Sequence, residues 1–124
     1  MKKIRVNVKV INSLKEENNT VTNGEWDSEA KMVSYLDDGV LVNVTLGDKI
    51  IINRSHPTYK IELVFEEGKK NLSKYEINSP KVDIEIETNT TILRKNKQGF
   101  YIEYILKLND VDMGLFSIDF KWEE

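Results

Sequence analysis

The sequence predicts an all-β protein: one antiparallel meander that closes into a barrel of about eight to ten strands. Two patterns carry that prediction. Apolar residues alternate with polar ones along most of the chain, and the breaks in the alternation hold hairpin residues. A third observation is compositional. Ala30 is the only alanine in a chain rich in Ile and Val, and β-branched side chains suit a pleated surface.

The elements follow in order. Ile4, Val6, Val8 and Val10 alternate with Arg5, Asn7 and Lys9. The segment Lys15–Gly24, rich in Asn, Glu and Thr, reads as a long loop, and a helical turn around Ser13–Asn18 is the only helix in prospect. Val40, Val42, Val44 and Leu46 share one face of a strand. Arg54 continues the phase of Ile50 and Ile52, and His56-Pro57 ends that run. Proline biases the preceding residue toward extended geometry, which suits a strand-connecting turn. Tyr59, Ile61, Leu63 and Phe65 then oppose Lys60, Glu62, Val64 and Glu66. Val82, Ile84, Ile86 and Thr88 oppose Asp83, Glu85 and Glu87. Phe100, Ile102, Tyr104, Leu106 and Leu108 form one face, as do Phe116, Ile118, Phe120 and Trp122.

One apolar and one charged face per strand is the signature of a sheet with one dry side. Asp38-Gly39 and Gly47-Asp48 stand where tight primed turns belong. Met113-Gly114 marks a bulge or a turn. Connections are short and no long crossover is present, which favours a barrel over a two-sheet sandwich. Closure also removes the exposed sheet edges.

The bulk numbers bound the function. A length of 124 residues suits one domain over 1–124. With no cysteine there is no disulfide framework and no thiolate chemistry. A net charge of −3 does not favour nucleic acid as a partner. Apolar runs fall far short of the ~20 residues of a membrane helix. MKKIRVNVKV alternates instead of forming the apolar block of a signal peptide, so the expected location is cytoplasmic. Five Asn-x-Ser/Thr matches, at Asn18, Asn43, Asn53, Asn71 and Asn89, follow from the abundance of Asn.

From Ile50 to the C-terminus the chain resembles a known family. The stretches are INRSHP, ELVFEEGKKNLSKYEI, VDIEIET, GFYIEYILKLN and FSIDFKWEE. Within them Arg54, Phe65, Gly68, Tyr75, Thr88, Tyr104 and Leu106 stand where the pattern of the YwiB-like family expects them. These are small bacterial proteins of uncharacterised function. The resemblance implies a calycin-type, lipocalin-like barrel and transfers no catalytic or ligand residue. His56 stands where the family tends to have glycine, and Ser79-Pro80 replaces a glycine after the tyrosine-containing strand. The segment after Tyr35-Leu36 also looks shorter than usual.

Candidate site residues come from the inward rows. Arg54 is a charged residue on an otherwise apolar phase. It suits either an anchor for a carboxylate or phosphate, or a structural role, packed on an aromatic such as Trp122 or capping terminal carbonyls. The structural role carries more weight in a small barrel. Tyr59, Tyr104 and Trp122 join Arg54 as candidate ligand-binding residues, although inward aromatics of a small barrel are more often core. His56 has only Ser55 beside it, too little for acid–base or nucleophilic catalysis. The row Asp83, Glu85 and Glu87 reads as a solvated face, and Lys69-Lys70 and Arg94–Lys97 as basic turns. No catalytic residue, metal site or cofactor is expected. The leading expectation is a non-enzymatic module for a small apolar or anionic ligand. The alternative is a solid-cored barrel that serves as a protein-interaction or structural module, a homodimer being one such arrangement.

Overall fold

The computed structural model describes Met1–Glu124 as ten strands. They are β1 (Lys2–Ile11), β2 (Glu17–Asp27), β3 (Met32–Asp37), β4 (Val40–Leu46), β5 (Ile50–His56), β6 (Tyr59–Phe65), β7 (Lys70–Asn78), β8 (Lys81–Asn96), β9 (Gly99–Leu108) and β10 (Val111–Glu123). Each pairs antiparallel with its chain neighbours, and β1 pairs with β10 to close the barrel. No helix is long and apolar enough to cross a membrane.

The alternating rows behave as their polarity dictates. Ile4, Val6 and Val8 of β1 are buried, while Lys3, Arg5 and Asn7 face outward. Across the closing seam Val6 pairs with Trp122 and Val8 with Phe120. The interior is filled by side chains. Phe65, Phe100, Phe120, Ile50, Ile86 and Ile102 are fully buried. Phe100 and Phe120 lie face to face with ring centroids 4.8 Å apart, and Tyr104 meets Phe65 edge-on at 4.8 Å.

The turns show local chemistry. Asp38 and Gly39 both take positive φ, at 51° and 81°, as a type I′ hairpin requires. Asn109 and Asp110 make the same kind of turn, with φ of 48° and 66°. Gly47-Asp48 does not. That connection runs over Gly47–Lys49, with the Gly47 N–H donating to the Lys49 carbonyl at 3.2 Å. Gly114 has φ 91° at the register shift between Asp112 and Gly114, so the Met113-Gly114 feature is a bulge.

The largest departure from the sequence reading is β2. The expected loop over Lys15–Gly24 is strand from Glu17 onward, and there is no helical turn at Ser13–Asn18. Asn12 sets the reversal. Its side-chain oxygen accepts the backbone N–H groups of Leu14 and Glu16, both at 3.0 Å. Its own N–H donates to the Glu16 carbonyl. From there β2 pairs with all of β1. The alternation was hidden because the inward row is Thr20, Thr22, Gly24 and Trp26, while Val21 points outward and is 52% exposed.

Two seams are incomplete. β6 pairs with β7 only from Tyr59 to Ile61. Beyond that point it leans on β8, and hydroxyls stitch the gap: Ser73 donates to the Glu62 carbonyl at 2.5 Å, and Thr88 to the Val64 carbonyl. Val64, expected on the wet face, is therefore buried at 9% exposure. β2 pairs with β3 only through Gly24–Asp27. At that fork a Cβ on Gly24 would come 2.6 Å from the Ser34 carbonyl oxygen, so only glycine lets the strands meet.

Because the aromatic stack fills the barrel waist, Phe120→Ala is expected to cost about 3–5 kcal/mol. Urea unfolding followed by tryptophan fluorescence measures it.

Candidate functional site

The antiparallel order places the β5–β6 turn at one end of the barrel and the β8–β9 turn at the other. Arg54 projects inward at the first end, opposite Val42 on β4 and Ile61 on β6. Its Nη2 donates to Asp37 Oδ2 at 3.1 Å. Asp37 is the last residue of β3, so the pair spans β4 at the mouth. The two side chains are 31% and 28% exposed. Arg54 thus ties strand ends together. It does not pack on Trp122, which lies near the other end, where the Trp122 backbone N–H donates to the Gln98 carbonyl of the β8–β9 turn.

Tyr59 is also at the mouth, a diagonal neighbour of Arg54 on the inward face. Its ring stacks on His56 at 5.1 Å and tilts against Tyr75 at 5.8 Å. His56 Nδ1 contacts the Thr58 hydroxyl at 2.8 Å and accepts the Thr58 backbone N–H at 3.2 Å. These contacts fix the turn. Tyr104 lies deep in the core at 4% exposure, stacked on Phe116 at 5.7 Å. Trp122 stacks on Trp26 at 4.8 Å. Of the sequence-predicted ligand residues, the fold brings Arg54 and Tyr59 together and sets Tyr104 and Trp122 apart.

Tyr35 and Asp37 complete the mouth, and the sequence reading did not single them out. Burial pushes the Tyr35 phenol up to about 12, with the Arg54 charge opposing and the Asp37 charge adding to the shift. Burial also raises Tyr104 well above the ordinary phenol range. The acidic row Asp83, Glu85 and Glu87 alternates with the inward Ile84, Ile86 and Thr88, and Glu87 lies 3.9 Å from Lys107. Lys69 pairs with Glu66, and Lys95 Nζ donates to the Gly47 carbonyl at 2.9 Å. Glu87 and Lys69 are thus paired, while Asp83 and Glu85 face solvent.

The main concavities lie on the outer wall. The largest, about 860 Å³, sits at the fork of β2 and β3 and includes Thr22, Asn23, Gly24, Tyr35, Leu36 and Leu41. Leu36 and Leu41 pair across β3 and β4 and are 62% and 42% exposed. Alongside this groove runs the free side of Glu17–Asn23, which has a ladder only to β1. Leu36 and Leu41 thus lie in the groove, and the outward Val21 lies on the unpaired edge, beside Asn7 and Lys121. The sequence signal that could have found it is the alternation of Thr20, Thr22, Gly24 and Trp26.

Residues 3–120 match the family described as "Domain of unknown function (DUF1934)". The chain belongs to this family. Among solved structures the barrel is similar to the ywiB protein from Bacillus subtilis, at a TM-score of 0.65 and 17% identity, over 98% of this chain and 91% of that one. This DUF1934 chain therefore shares the YwiB-like barrel along nearly its whole length. No curated protein matches it.

Two outcomes follow for the mouth. Arg54→Ala and Asp37→Ala should each cost about 1 kcal/mol or less, as ion pairs at a solvent-accessible rim do. The double variant should cost less than their sum, a coupling that a thermal-denaturation cycle measures. The raised phenol of Tyr35 sets a pH dependence. The folded chain keeps a proton that the unfolded chain releases above pH 10.0, so stability falls as pH rises from there toward about 12. Tyrosinate absorbance should show a late step near pH 12 that Tyr35→Phe removes.

Proposed function

We propose that this DUF1934 barrel is a non-enzymatic module that binds other polypeptides through its outer wall. One observation carries the reading: the backbone edge Glu17–Asn23 is unpaired and lies beside a groove where the exposed Leu36 and Leu41 meet the charged Lys3, Arg5, Glu25 and Glu124. An unpaired edge offers a row of N–H and C=O groups to an incoming extended chain, which supplies affinity, while flanking side-chain positions supply selectivity. The filled interior supports the same reading, because the inward rows are occupied by core side chains. A non-catalytic role is supported by the dispersal of the polar side chains, with His56 committed to its own turn. Charged outward rows around an apolar interior are the reverse of a membrane-spanning barrel, which supports a role in water, in the cytoplasm.

A second reading keeps the small apolar or anionic ligand. It is favoured by Arg54 facing inward beside Tyr59 at the mouth. The guanidinium is already engaged by Asp37, so an anion would have to displace that carboxylate.

One experiment separates the two. Random peptides displayed on phage are selected against the immobilised chain, and the labelled chain is titrated with decanoate and with inorganic phosphate while its amide resonances are followed. The interaction reading expects enriched peptides whose binding drops at least tenfold in Val21→Lys, and no amide shifts from the small molecules. Shifts centred on Arg54 and Tyr59, with no edge-dependent peptide, would replace it with the ligand reading.

A further inference from the structure

The free edge of β2 is complementary to itself. In an antiparallel pair, residues alternate between those whose N–H and C=O face the partner strand and those whose groups face away. The Asn12 N–H bonds the Glu16 carbonyl, and the β1–β2 register runs without a shift from Ile11↔Glu17 to Lys2↔Trp26. Counting from that bond, Asn18, Thr20 and Thr22 turn their backbone groups toward β1. Glu17, Asn19, Val21 and Asn23 turn theirs outward, to the side that β3 leaves open. Glu25 faces the same way but is already paired with Ser34 of β3.

We propose that two copies of this chain join through these edges, antiparallel, about a two-fold axis at Thr20. The proposal rests on the barrel being a polypeptide-binding module and names the second copy as its occupant. Centring on Thr20 sets Glu17 against Asn23 of the second copy and Asn19 against Val21. Every free N–H and C=O on both edges is then satisfied. Centring on Val21 would call on Glu25, whose backbone β3 holds, and would set Glu17 against Glu25. Centring on Asn19 would leave Asn23 unpaired. Only the Thr20 axis uses the whole edge with no like charges opposed, and it sets Thr20 beside its own copy, a favourable cross-strand pair.

Two further features fit this occupant. Sheet proteins guard free edges with lysine, proline or cover. The free part of β7 has Lys70 and Lys74 and is bridged by the Ser73 hydroxyl. Glu17–Asn23 contains neither lysine nor proline, and its single charge, Glu17, is neutralised by Lys9 at 3.0 Å. The register also carries the chain preceding Glu17 of the second copy past Asn23 toward the fork. That brings its hairpin tip, with Leu14 77% exposed, over the groove of Leu36 and Leu41. The contact is isologous, so it closes as a dimer and does not propagate.

Sedimentation equilibrium of the intact chain over a wide concentration range tests this, with circular dichroism as the check on folding. The expected result is a reversible dimer of the 14.4 kDa chain. Val21→Pro removes an outward N–H without touching the β1 ladder, and Val21→Lys adds a charge that meets its environment twice. Each should weaken dimerisation at least tenfold, while Leu72→Lys on β7 leaves it unchanged. If Val21→Pro does not fold, Val21→Lys carries the test. A wild-type chain that stays monomeric, or a dimer indifferent to Val21→Lys, overturns the proposal. In that case, edge-dependent binding of displayed peptides would still sustain the interaction reading, and its loss would remove both.

Discussion

The pairing of β1 with β10 joins the two ends of the chain, Arg5 against Glu123 and Ile11 against Ser117. The rest of the structure depends on it. Strands of a meander pair with their chain neighbours through short turns, but the first and last have no such help. Their register has to come from the side chains they bury together. Val6 meets Trp122, and Val8 meets Phe120, whose ring stacks on Phe100. A slip of one residue would turn Phe120 and Trp122 to solvent and bring Lys121 and Asp119 inward, so one register is strongly preferred. Once the ring is closed, most strands keep a polar row on the wall and an apolar row in the core.

A closed ring need not be sealed along its whole height. Strand lengths differ, and where a long strand outruns its neighbour the backbone must find other partners or remain open. The barrel does both. At the β6–β7 seam the polar inward residues Ser73 and Thr88 donate to carbonyls of β6. Gly68 and Lys69 bond Thr90 of β8. That seam is mended from within. At the β2–β3 seam Gly24 permits close approach, and nothing bridges Glu17–Asn23 beyond it. The contrast within one molecule marks the β2 edge as the stretch of backbone that the barrel itself leaves open.

The mouth shows how a charged residue on an apolar phase is accommodated. Arg54 stands where its stem is inside and its head is at the rim, and Asp37 meets it across β4. The same pair brackets Tyr35, whose phenol is held neutral mainly by burial. Polarity at this end serves closure first. The groove at the β2–β3 fork begins on the other side of Tyr35 and Leu36, so the mouth and the open edge are neighbours that share strand β3.

Sequence alone determined the all-β class, most strand phases, the Asp38-Gly39 hairpin and the outward sign of the wall. These depend on period-two burial and on backbone conformations that few residues adopt, both of which are local. It placed Arg54 inward and at an end for the same reason. It missed β2, because threonine and glycine are adequate inward residues where a strand crosses the thin end of a core, and a hydrophobic pattern cannot register them. It offered Trp122 as one aromatic on which Arg54 could pack, because phase gives the face of a strand but not which end of the barrel a partner occupies. Which strands outrun their neighbours, which carbonyls are stitched and which edge stays open were decided by tertiary structure alone. They follow from register between strands far apart in the chain, fixed by what packs in the core.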